Sequence, residues 1–209
     1  MTTRCFVTGG AGFIGSHLTD ALLRRGCAVT VYDDLSLGRR EHLAGALAAG
    51  ARLVEADLLD LERLTAELAG HHRVWHLAAS SDIRQGTRST RLDLEQGTLV
   101  TYNVLEAMRR CGVEELAFAS SSVVYGEPAV MPTPEDHGPL QPISLYGAAK
   151  LAAGDAAYLA SRTGLQVHGA IGYTAEFDLS LWITKIRALL TAWGTPAYHR
   201  SRLLAELSS

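Results

Sequence analysis

The stretch Gly9-Gly-Ala-Gly-Phe-Ile-Gly15 limits what this chain can fold into more than any other. It follows the apolar run Arg4–Thr8 and opens a helical pattern at Phe13, so it reads as strand, tight turn and helix in succession. Gly9, Gly12 and Gly15 recur at every third position. Side chains there would obstruct the turn, the approach of an anion to the backbone, and the packing of helix on strand. The helix N-terminus facing such a turn offers bare N–H donors to a phosphate. A glycine-rich turn with no ligand is the alternative, and the strand–turn–helix setting favours a pyrophosphate cradle.

The rest of the chain repeats the same alternation. Strands are expected at Arg4–Thr8, Ala28–Tyr32, Arg52–Glu55, Arg73–Leu77, Glu115–Ala119 and Leu165–Gly169, with helices near 13–25, 40–48, 60–69, 91–111 and 145–162. The strand runs are short, Val- and Leu-rich and not alternating, as strands covered on both faces should be. Repeated βα units force parallel pairing through right-handed crossovers. The expected fold is therefore an α/β doubly wound parallel sheet of the Rossmann-like type.

Hydrophobic residues make up 47% of the 209, enough for a substantial core. A net charge of −3 argues against a nucleic-acid surface or a polybasic membrane anchor. Cys5, Cys27 and Cys111 show neither CxxC nor Cys/His spacing, so we expect free thiols, no metal site and a cytoplasmic setting.

Asp33 ends the second strand. A carboxylate there can accept from the adenosine ribose hydroxyls and repel a 2′-phosphate, which favours NAD over NADP. A turn or capping role is the alternative, and Asp34 or Ser36 could equally supply it; Arg39 and Arg40 leave a minority case for NADP. Asp57 follows the third strand and either reaches the adenine edge or caps the helix near 60. Asp82 and Arg84, past the fourth strand, either touch substrate or pair with each other. His71-His72 reads as a solvated loop pair and His76 as structural.

Tyr146 and Lys150 are four apart, which places them on one face of a helix. An ammonium beside a phenol favours the phenolate and makes it a usable base. Ser121, at the end of the fifth strand, can orient a reacting hydroxyl. A Tyr-x-x-x-Lys pair on a helix often carries no chemistry, but here it follows a serine cluster where open α/β sheets hold their ligands.

Together, Gly9–Gly15, Asp33-Asp-Leu-Ser-Leu-Gly-Arg-Arg40, Asp57, His76-Leu-Ala-Ala79, Ser120-Ser-Ser-Val-Val-Tyr-Gly126 and Tyr146-Gly-Ala-Ala-Lys150 resemble the extended short-chain dehydrogenases/reductases, specifically the NAD-dependent sugar-nucleotide epimerase/dehydratase family. The resemblance runs from the N-terminus to about residue 169. It implies NAD contacts at Gly9, Gly12, Phe13, Ile14, Gly15, Asp33, Asp34, Asp57, Leu58, Leu77, Ala78, Ala79, Tyr146 and Lys150, and catalysis by Ser121, Tyr146 and Lys150. Dehydratases of the family carry Asp-Glu where this chain has Ser122-Val123, so a UDP-glucose 4-epimerase-like activity through a transient 4-keto sugar is implied, in a homodimer acting on a nucleotide sugar. Other readings are a short-chain oxidoreductase acting on another alcohol or ketone, and a non-catalytic NAD-binding module.

Two departures stand out. Gly97 replaces an asparagine usual in the family, which weakens proton relay or lysine positioning. After residue 169 the usual substrate lobe is largely missing, so we expect an NAD-binding domain over 1–170 and a small C-terminal helical remnant over 171–209.

Overall fold

The computed structural model describes residues 2–80, 89–128, 130–134 and 137–168. The chain divides into two units, Met1–Ala119 and Ser120–Ser209.

In the first unit the apolar runs form five parallel strands: β1 (Arg4–Thr8), β2 (Ala28–Asp33), β3 (Arg52–Glu55), β4 (Arg73–His76) and β5 (Glu115–Phe118), in the order β3-β2-β1-β4-β5. β1 pairs with β2 in the register Arg4↔Ala28 to Thr8↔Tyr32, and with β4 from Cys5↔Arg73 to Thr8↔His76. Strand order therefore runs outward in both directions from the β1–β4 pair. A sheet of this kind leaves a crevice beyond the strand C-termini at that reversal, and ligands settle there.

Alternate residues of β1 serve opposite faces of the sheet. Phe6 joins Tyr32, Val74, Leu64, Leu68, Val100, Val104 and Met108 on one side. There α3 (Leu61–Leu68) packs on α5 (Val100–Cys111). Cys5 and Val7 join Val29, Val31, Leu22, Leu43 and Ala46 on the other, under α1 (Phe13–Arg24) and α2 (Ala44–Ala48). Two-sided burial is why these strands do not alternate in polarity.

Local chemistry sets the helix ends. Asp60 caps α3 by accepting from the Arg63 N–H at 3.1 Å, so the cap is Asp60 and not Asp57. Gly112 closes α5 with φ of 66°. The helix expected over 40–48 begins as a 3₁₀ turn, Arg40–Leu43. That expected over 91–111 is broken into α4 (Thr90–Asp93), a π-helical segment Leu94–Leu99 that contains Gly97, and α5. A glycine holds the regular α ladder less firmly than other residues short of proline, and such widened turns gather at functional sites.

In the second unit a 3₁₀ turn, Ser122–Tyr125, precedes α6 (Leu145–His168). Ser144 caps α6 by accepting from the Gly147 N–H at 3.0 Å. The expected strand Leu165–Gly169 is wrong as far as it is described, because Leu165–His168 continues α6. Only Leu165 and Val167 are apolar there, and the Ala-rich run before them propagates helix. Gly169 and the helical remnant expected beyond it lie outside the described residues, as do Asp82 and Arg84. Among the described residues no helix is long and apolar enough to cross a membrane.

Candidate cofactor pocket and catalytic side chains

A cavity of about 660 Å³ opens at the C-terminal ends of β1, β2 and β4. It brings together Gly9, Gly12, Phe13, Ile14, Gly15, Asp33, Asp34, Asp57, Leu58, Leu77, Ala78 and Ala79. Tyr32, Gly38, Ser80, Leu92, Gln96 and Ala119 also line it, and sequence reasoning did not single these out. Gly38 lay within a matching motif, yet only its packing reveals its role. A β-carbon on it would sit 2.8 Å from both the Ala11 side chain and Asp33 Oδ1.

The cavity floor is backbone that no side chain could replace. Gly9 has φ of +67°, and a β-carbon on it would lie 2.6 Å from the Ala78 nitrogen. One on Gly15 would lie 2.3 Å from the Gly9 carbonyl oxygen. α1 then starts at Phe13 with no side-chain cap and no acidic residue in its first turn. That arrangement leaves the helix's positive end available to an anion and fits a pyrophosphate. Phe13 and Ile14 stay exposed at the rim, 77% and 67% accessible.

Asp33 is buried, and each of its carboxylate oxygens already takes a backbone N–H, from Ala11 and from Leu35, both at 2.9 Å. Burial nonetheless raises its pKa above the usual carboxylate value. Each oxygen keeps a further acceptor direction, so the group can still receive a ribose hydroxyl. Asp34, more exposed, accepts from the Ser36 N–H and hydroxyl. Asp57 turns its carboxylate onto the Leu59 N–H at 2.9 Å.

Beside the cavity runs a buried polar chain. The Thr101 hydroxyl donates to the Gly97 carbonyl at 2.7 Å, so it accepts from His76 Nε2 at 3.0 Å. His76 Nδ1 is then the acceptor of the Thr8 hydroxyl at 2.7 Å, and Thr8 Oγ1 in turn faces the Ala78 N–H at 3.4 Å. His76 thus ties the Leu77–Ala79 wall to the π-helical segment. His71 is likewise engaged, donating to the Leu68 carbonyl and accepting from Thr30, while His72 Nδ1 accepts from the Arg4 N–H. Of the expected solvated pair, His72 is exposed as expected, while His71 is half-buried and structural.

In the second unit Ser121 is extended (φ −152°, ψ 149°) at the start of the 3₁₀ turn. That turn packs on α6 because residue 147 is glycine: a β-carbon there would lie 2.8 Å from Pro142 and 3.1 Å from the Val123 carbonyl. Tyr146 and Lys150 share α6, with Lys150 Nζ 6.0 Å from the Tyr146 ring centre. Lys150 is buried, and desolvation lowers its pKa to about 8.

The sequence profile of the NAD dependent epimerase/dehydratase family matches residues 5–175. The chain belongs to that family. It is 38% identical over 148 residues to a UDP-glucose 4-epimerase of Corynebacterium glutamicum, covering 71% of this chain and 44% of that protein. Identity with the UDP-glucose 4-epimerase of Mycolicibacterium smegmatis is 40% over 153 residues, 71% of this chain and 48% of the relative. A crystal structure of UDP-galactose 4-epimerase superposes with a TM-score of 0.70 at 43% identity, covering 77% of this chain and 52% of that one. UDP-glucose 4-epimerase from Brucella ovis, solved in complex with NAD, gives 0.69 at 32%, over 74% and 46%. The epimerase-family match thus spans less than half the length of the two curated relatives.

Proposed function

We propose that this chain is the cofactor-binding and catalytic part of a nucleotide-sugar epimerase of the UDP-glucose 4-epimerase type, with NAD held throughout the cycle. The observation that carries the reading is the glycine cradle at an uncapped helix start, with Asp33 at the end of the neighbouring strand. The names and bound NAD of the similar proteins support it. Bound there, NAD would supply a reversible hydride acceptor for the sugar C4. Gly9, Gly12 and Gly15 would hold its pyrophosphate; Asp33 would hold the adenosine ribose.

In this reading Tyr146 removes the proton of the 4-hydroxyl and restores it after the 4-keto sugar has turned over. Ser121 orients the oxygen, and Lys150, one turn along the same helix, supports Tyr146 as the base and holds the nicotinamide ribose. The reaction is redox-neutral overall. We further propose a homodimer pairing α5 and α6 with a twofold mate, to which Leu99 and Tyr102, apolar and exposed, would contribute. Three free thiols suit the reducing cytoplasm.

The test is conversion of UDP-galactose to UDP-glucose by the chain with stoichiometric NAD bound, followed by chromatography of the sugar nucleotides. Interconversion lost in Tyr146→Phe supports the assignment. Unaltered turnover in that variant, or none in the NAD-loaded chain, overturns it. A strictly monomeric mass by light scattering overturns the dimer.

A further inference from the structure

The wall of the cavity nearest β3 is not a strand or a helix but the bare loop that joins β3 to α3. Since β3 lies outside β2 in the sheet, this is the end of the crevice beyond the ribose-holding Asp33, where the adenine of a dinucleotide falls. Ala56, Asp57 and Leu58 of this loop line the cavity. Its own backbone bonds, from the Asp60 N–H to the Asp57 carbonyl and from the Leu61 N–H to the Leu59 carbonyl, both at 3.1 Å, leave the Leu58 carbonyl in need of a partner elsewhere.

Two side chains distant in sequence complete the set. The buried Tyr32 hydroxyl donates to the Asp57 carbonyl at 3.0 Å. The Asn103 amide of α5 donates to the Leu58 carbonyl at 2.9 Å and to the Leu59 carbonyl at 3.3 Å. The Asp57 carboxylate closes the loop on itself through the Leu59 N–H. Asn103 does not line the cavity, yet it grips the carbonyl of a residue that does.

We propose that Asn103 is a positioning residue for the adenine end of the cofactor, acting through the Asp57–Leu59 loop with Tyr32 as its counterpart. The proposal rests on the reading that the cavity holds NAD. Removing the amide takes the side-chain partner from the Leu58 carbonyl, leaves Leu59 with only the Leu61 N–H at 3.1 Å, and lets the loop leave the plane of the base. The nicotinamide end, formed by other residues, is untouched. The whole loss therefore falls on the adenosine half of the ligand.

The experiment measures AMP and NAD affinities of the full chain by titration calorimetry, in wild type, Asn103→Ala and Tyr32→Phe, with thermal melts alongside. AMP and NAD should both weaken in Asn103→Ala by the same factor, about tenfold, as expected for loss of one net hydrogen bond. Tyr32→Phe, which keeps the buried ring, should show the same parallel loss and guards against a misfolded alanine variant. AMP affinity within twofold of wild type in both variants overturns the proposal, as does weakened NAD binding with AMP unchanged. A wild type that binds neither AMP nor NAD refutes the cofactor reading itself, and this proposal with it.

Discussion

Lys150 Nζ lies 6.0 Å from the centre of the Tyr146 ring, one turn further along α6. Burial keeps that amine's pKa near 8 against a usual 10.5. Below pH 8 both folded and unfolded chains hold the proton, and the full cost of the buried charge is present. Between pH 8 and 10.5 only the unfolded chain keeps it. Folding stability should therefore rise by about 3 kcal/mol across that window. Urea unfolding at pH 7.5 and pH 10 checks this, and Lys150→Met should flatten the rise.

Among the described glycines of the second unit, Gly126 has the least room for a side chain, because Gln141 lies against it. Gly126 has φ of +68°, and a β-carbon on it would stand 2.1 Å from the Gln141 carbonyl oxygen. Gly126→Ala should cost more than about 3 kcal/mol, since both the dihedral and the contact must give way. Equilibrium unfolding that differs from wild type by less than 1 kcal/mol contradicts this.

Asp33 sets a different expectation. Its carboxylate anchors the Ala11 and Leu35 N–H groups and adds negative charge beside the ribose site. Asp33→Ser should weaken NAD roughly tenfold or more while narrowing the gap between NAD and NADP. Parallel titrations with the two dinucleotides decide it. An unchanged NAD-to-NADP ratio would show that Asp34 or the surrounding backbone sets the preference.

Thr101 holds the middle of the buried chain between His76 and Gly97. Thr101→Val removes the hydroxyl while keeping the shape, leaving a carbonyl and a ring N–H without that partner. The expected loss is roughly 1–3 kcal/mol. Thr101→Ser, which keeps the hydroxyl, should recover most of it in a thermal melt.

The glycine turn, Asp33 and the five strands were legible because each is written in a run of adjacent residues. Boundaries moved by a residue or so: β4 stops at His76 and β2 runs on to Asp33. The π-helical segment was not legible, since no local pattern separates a widened turn from an ordinary one around Gly97. Asn103 was equally hidden, for its partners lie 44 and 45 residues away and its meaning is entirely tertiary. The strand expected at Leu165 failed for the opposite reason. A brief apolar run fits either element, and the helix already under way decided the matter.

Every hydrogen between Thr8 and Gly97 already points one way, because the terminal carbonyl can only receive. Turning the imidazole to its other tautomer would set a bare Nε2 against a threonine oxygen whose hydrogen is committed to Gly97. His76 is therefore a rivet at the mouth of the sheet, holding the Leu77–Ala79 wall and the π-helical segment in one arrangement.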